Sequence, residues 1–132
     1  MTKILSEKIS FKLFNDLLIA EGRKHDNFQN EELDRIFTLI AEIEKHIHTS
    51  TESAVVMKQW QVGITENIEQ SKTRHSGKEP KHWADWDCGS DRIARPTEIY
   101  FTQIRGTSGA PGGGKNCRYI YCFLIGKNES IA

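Results

Sequence analysis

Cysteine and proline are both scarce in this 132-residue chain, at three residues each. Three cysteines cannot all pair, and they fall far short of the density of a disulfide-stapled secreted domain. No apolar run approaches the roughly 20 residues that span a bilayer as a helix. Neither sign of charge is in excess: 18 basic and 18 acidic side chains cancel, and the pI is about 7.0. That excludes the globally basic footprint of a duplex-DNA binder. Metal-ligand spacing is missing too. There is no C-x-x-C and no H-x-x-x-H, and His46 and His48 lie two apart, so they cannot share a helix face. The opening MTKILSEKISFKLF places lysine or serine inside every would-be apolar stretch. The expectation is a cytoplasmic protein with no secretory leader, no membrane partner, no metal and no cofactor.

What is present suits one globular domain over residues 1–132, with 37% hydrophobic and 27% charged residues. Residues 1–49 read as a helical hairpin. Leu13, Phe14, Leu17 and Leu18 recur at helical spacing up to Gly22. A second helix opens at Asn30 as N-cap, with Glu31, Glu32 and Asp34 in its first turn, where negative charge suits the helix dipole. Leu33, Ile36, Ile40, Ile43 and Ile47 form its apolar stripe, with Phe37 widening it. The first helix carries more apolar surface than a small sheet covers, which predicts self-association as a homo-oligomer.

Residues 54–132 read as a sheet with long basic loops. The stretch 54–70 fits helix and strand periodicity alike; Val, Trp, Ile, Thr and Gly63 favour a strand over 55–65. Residues 71–96 read as a long polar loop, 97–105 as a strand and 118–125 as a central strand, apolar on both parities. The expected architecture is α+β: a helical hairpin on an antiparallel sheet of about three strands.

Charge divided along the chain points to a site. Residues 1–70 hold 8 basic and 12 acidic side chains, and residues 71–132 hold 10 and 6. The segment from Gln103 to Arg118 has three cations (Arg105, Lys115, Arg118) and no acid. Within it, Gly109–Asn116 resembles the phosphate-binding loop of nucleotide hydrolases, G-x-x-x-x-G-K-[ST]. Asn116 stands where that loop has its hydroxyl residue, and a strand rather than a helix is expected to follow. What carries over is the convergence of backbone N–H groups at Gly112, Gly113 and Gly114 on an anion. A second basic segment, 71–83, contributes Arg74, His82 and Trp83, cations beside a ring that suits a nucleotide.

The leading expectation is therefore a non-enzymatic binder of a small anionic, phosphorylated or nucleotide-like ligand. Its site residues are Arg105, Gly112, Gly113, Gly114, Lys115 and Arg118, with Arg74, His82 and Trp83 closing over the remainder. Two alternatives stand beside it. One is a small inhibitor or immunity-type protein, of mobile-element or phage kind, that binds another protein. The other is a metal-independent ribonuclease with His75 or His82 as general base, since a small antiparallel sheet with helices looks broadly similar to bacterial toxin ribonucleases. No tight acid–base–nucleophile set is visible, so no catalytic residue is assigned.

Overall fold

The structure, a computed structural model, describes Asp16 and residues 28–51, 54–74, 81–109 and 116–125. The expected first helix, and with it the self-association argument, lies outside the described residues apart from Asp16. In chain order come helix α1 (Asn30–Ser50), a 3-10 turn (Met57–Gln59), strand β1 (Trp60–Thr65), helix α2 (Ile68–Arg74) and strand β2 (Lys81–Asp87). Helix α3 (Asp91–Ile99) then runs directly into a π-helical segment (Tyr100–Arg105), and strand β3 (Tyr119–Leu124) follows. The protein is thus α+β. The sheet order is β1-β3-β2, with both outer strands antiparallel to β3. The last strand in sequence is the central one, as its two-sided apolar pattern implies.

Helix α1 buries Ile36, Leu39, Ile43 and Ile47, spaced three and four apart. The stripe is therefore centred on Leu39 and not on Ile40, which is half-buried. Ile40 instead lines the seam with α3, where Ile36 gathers Leu33, Ile40, Ile93, Tyr100 and Ile104 around it. The N-cap is Gln29 rather than Asn30: the Gln29 backbone N–H donates to Glu32 Oε1 at 2.9 Å, while Leu33 N donates to Gln29 O at 3.1 Å.

Three sequence expectations are corrected. Residues 55–59 are not strand; β1 starts at Trp60 after the 3-10 turn. The segment 71–96 is not one irregular loop, since it holds most of α2, all of β2 and the start of α3. β2 hid because it is an outer strand with exposed polar residues, and because its register slips between Lys81 and Ala84. Finally, 97–105 is helical, not a strand. Ala94, Thr97, Glu98 and Phe101 share one buried face at helical spacing. Its threonines are accommodated by bonds back to the preceding turn, Thr97 Oγ1 to Ile93 O at 2.7 Å and Thr102 Oγ1 to Glu98 O at 2.9 Å. Gly106, at φ +81°, ends the segment in the left-handed conformation that glycine tolerates.

The helices cover one sheet face. Ile120 and Cys122 of β3, with Trp60, Val62 and Ile64 of β1, meet Leu39, Ile43, Ile47, Ala94 and Phe101 there. The other face carries Tyr121, Phe123 and Ile125, against which the Trp83 ring packs. Trp83 stacks on Tyr121 at 4.9 Å between centroids and on Phe123 at 5.7 Å. Tyr121 also lies across its cross-strand partner Gly63. A Cβ at Gly63 would sit 2.6 Å from Tyr121 Cζ, which is why glycine occupies this strand position.

Two stability outcomes follow. Leu39→Ala should cost about 2–5 kcal/mol and exposed Glu42→Ala under about 0.5 kcal/mol in urea unfolding. Gly63→Ala should cost about 1–3 kcal/mol, because the new methyl displaces a stacked ring. Unchanged unfolding midpoints for Leu39→Ala or Gly63→Ala would contradict this packing.

Candidate functional site

Helix α1 lies along β2 and holds it at both ends. Arg35 Nη2 donates to Asp87 O at 2.8 Å. His46 donates through Nε2 to His82 O at 2.7 Å. Eleven helical residues rise about 16 Å and five strand residues about 17 Å, so the two contacts are in register and the elements run in opposite directions. The flank facing α3 is held differently. Arg92 pairs with Glu32 through Nε at 2.8 Å and Nη2 at 3.2 Å. Arg105 pairs with Glu44 through Nε at 2.6 Å and Nη2 at 3.4 Å. Both forks meet carboxylates about 18 Å apart on α1, so the α3–π-helical rod runs parallel to it. His48 Nε2 also lies 3.2 Å from Glu44 Oε2.

The C-terminal end of β2 is built around Asp87. Arg118, just before β3, grips its carboxylate with Nε to Oδ1 at 3.0 Å and Nη2 to Oδ2 at 2.7 Å. The Gly89 N–H donates to Oδ1 at 2.8 Å, a turn made by the aspartate's own side chain. Arg35 brings a second guanidinium through the Asp87 carbonyl. The hydrogen bonds from Arg118, then that from Gly89, hold the Asp87 carboxyl below its ordinary value, and the same pairing raises Arg118. Both side chains are 49% exposed. The Arg118 guanidinium lies 5.4 Å over the Tyr119 ring. Asn116, at φ +67°, leads the chain into this corner from the glycine-rich segment, and Ser90 starts α3 beside it without a side-chain cap bond.

Between the two ends of β2, imidazoles and indoles gather around His46. His46 meets Trp60 and Trp86 edge-on at 5.7 and 6.0 Å, and His82 lies 6.3 Å from Trp60. His82 occupies the register slip with φ +54°, a conformation costly for a residue with a Cβ.

The structure therefore divides the residues expected to form one site. Arg118 is at the Asp87 end. Arg105 is not the end of a strand paired with that of Arg118; it closes the π-helical segment on Glu44, and Glu44 lies nine residues from Arg35, about 14 Å along α1. His82 is at the far end of β2. Trp83 faces the opposite side of the sheet, with Lys72 Nζ 5.9 Å from its ring and its Nε1 donating to Asp85 Oδ2 at 2.7 Å. Arg74 is the last residue of α2. Gly112, Gly113, Gly114, Lys115 and His75 lie outside the described residues. Sequence alone gives no site role to Arg35 and does not pair Asp87 or Glu44 with these arginines. The one available signal was the absence of acid between 103 and 118, which left the arginines there to be neutralised from a distance.

Burial pushes the thiols of Cys88 and Cys122 up to about 12, which keeps them protonated and unreactive at neutral pH. Among the described residues, no group of three His, Cys, Asp or Glu side chains is placed to hold a metal ion. Also among them, no helix is long and apolar enough to cross a membrane. Comparison with protein-family models, curated proteins and solved structures finds no match.

The paired carboxylates have measurable signatures. Glu32 is held below its ordinary value of 4.5, first by the Arg92 hydrogen bond and then by the Gln29 N–H. A depressed carboxyl stabilises the fold above its unfolded value and ceases to do so as pH falls through the folded one. Glu32→Gln should therefore be less stable than wild type at pH 7, with the gap closing as pH falls below about 4.5 in melting experiments. A constant gap down to pH 3 would contradict the pairing. For the other clamp, a double-mutant cycle on Glu44→Ala and Arg105→Ala should give a coupling of about 0.5–1 kcal/mol that shrinks in salt.

Proposed function

We propose that this chain is a non-enzymatic binder of a small phosphorylated, nucleotide-like ligand, and that the ligand's phosphate docks at the Arg35–Asp87–Arg118 corner. The observation that carries this reading is the convergence of two guanidiniums on one residue, Asp87: Arg118, from the entry to β3, on its exposed carboxylate, and Arg35, from α1, on its backbone carbonyl. Arg35, Arg118 and Asp87 together carry one net positive charge, with Asp91 in the first turn of α3 nearby in sequence. A fork of N–H donors with aromatic backing at Tyr119 is the chemistry that recognises phosphate. The sequence adds Lys115 three residues before Arg118 and the glycines at 112–114, whose backbone suits close approach to an anion. The start of α3 at Ser90 adds backbone N–H groups of the favourable dipole sign. Arg105, occupied by Glu44, serves the fold in this reading, and Arg118 with Arg35 takes the ligand role.

The reading ends at binding. Neither Cys88 nor Cys122 is activated, and among the described residues no acid–base pair flanks the corner.

Calorimetry with a panel of nucleotides, cyclic nucleotides and sugar phosphates tests it. At least one should bind wild type, and Arg118→Ala should weaken binding roughly tenfold or more. The melting temperature should barely change, since the Arg118–Asp87 pair is exposed. If no phosphorylated compound binds, or the variant binds equally well, the reading fails and capture of a protein partner takes first place. Cleavage of RNA by purified protein that is lost in His82→Ala would favour the ribonuclease instead.

A further inference from the structure

The corner that suits a phosphate already holds an anion of its own. We infer that Asp87 is the resident ligand of Arg118, and that an incoming phosphate binds by exchange, taking the fork from the carboxylate. This rests on the phosphate reading of the corner and adds how its occupancy is regulated.

The geometry supports an exchange. Arg118 donates two parallel N–H bonds to the two oxygens of Asp87, at 3.0 and 2.7 Å, which is the pattern it would offer to two oxygens of a phosphate. The pair stands in water, half exposed on both sides, so it is the sort of contact that gains little and opens easily. Asp87 need not leave its place when the fork lets go. The Gly89 N–H still holds Oδ1, and its backbone carbonyl still receives Arg35. Arg35 then remains beside the corner as a second positive charge. The two arginine–glutamate forks differ: each ties α1 to the α3–π-helical rod, and their side chains are more sheltered, 30% and 20% exposed for Arg92 and Glu32 and 34% and 21% for Arg105 and Glu44. Opening either would loosen the fold, whereas opening Arg118–Asp87 loosens only a side chain.

Exchange also sets the class of ligand. A tethered carboxylate is present at high effective concentration, so a free monoanionic carboxylate offers Arg118 nothing it lacks. A phosphate with close to two negative charges at neutral pH offers more charge to both guanidiniums and displaces Asp87. The corner is thereby closed to common carboxylates and open to phosphates.

The test titrates wild type, Asp87→Asn and Asp85→Asn with inorganic phosphate and with acetate at constant ionic strength. The backbone amide NMR signals of Gly89 and Tyr119 are followed. Asp87→Asn keeps the side-chain shape and an oxygen for the Gly89 N–H, so it should fold; Asp87→Ser is the second variant if it does not. Asp85→Asn removes the same charge from the same strand without touching Arg118. Phosphate should move both amides in wild type, and acetate should not. In Asp87→Asn the phosphate affinity should rise by roughly tenfold and acetate should begin to bind. Asp85→Asn should behave nearly as wild type. If phosphate moves neither amide in any of the proteins, the phosphate reading falls and this inference with it. If phosphate binds wild type but Asp87→Asn binds no tighter, or Asp85→Asn tightens as much, the exchange alone is overturned.

Discussion

Two arginine–glutamate forks, Arg92 on Glu32 and Arg105 on Glu44, fix how helix α1 lies against the α3–π-helical rod. Rods packed through apolar seams can slide, because ridges of Ile and Leu look alike one turn along. Bidentate guanidinium–carboxylate contacts do not slide, since one turn of about 5.4 Å would break both bonds of each fork. The forks stand near the two ends of the shared length. Together they set the register that lets Ile36 and Ile40 meet Ile93, Tyr100 and Ile104. The same helix is set against β2 by Arg35 and His46. Four long polar side chains thus help set the register of one helix, and the apolar stripe between them fills the core.

The sheet answers with its own constraint. β3 is buried on both faces, so each of its side chains needs a specific partner across the strand. On the helix side the partners are mixed, with Ile64 and Trp86 opposite Ile120, Val62 and Ala84 opposite Cys122, and Trp60 opposite Leu124. On the other side the partner is aromatic, with Trp83 over Tyr121 and Phe123, and Tyr121 in turn lying over Gly63. The absent side chain at 63 and the large one at 121 are two halves of one packing solution. The corner at Asp87 and Arg118 sits at the end of this central strand, which is paired on both sides.

Much of this was legible in the sequence. Ile36, Ile43 and Ile47 announced α1, and the two-sided run from Tyr119 to Leu124 announced a central strand. The three-strand antiparallel sheet was also expected, but one of its members was misplaced. TEIYFTQIR is rich in β-branched and aromatic residues, and those preferences were outweighed by burial of Ala94, Thr97 and Phe101 on one helical face. Its threonines satisfy their hydroxyls within the helix, which composition does not reveal. The candidate site failed to read for a different reason. Arg105 and Arg118 looked free because no acid lies near them in sequence. Their partners come from 61 and 31 residues away. Local charge counting finds clusters of cations but not the carboxylates that fold onto them, and only Arg118 kept the exposure that a ligand needs.

The bonds from α1 to β2 have a consequence for assembly. Strands at the rim of a sheet present backbone groups that a strand from another copy can pair with. In this sheet both rims are guarded. The carbonyls of His82 and Asp87, near the two ends of β2, are taken by His46 and Arg35. Across the sheet, Ser108 lies against β1, giving its N–H to Trp60 O at 2.8 Å and accepting from Val62 N at 3.3 Å. At those positions the rim backbone is already satisfied within the chain, so a strand from a second copy would have to displace these contacts to pair there.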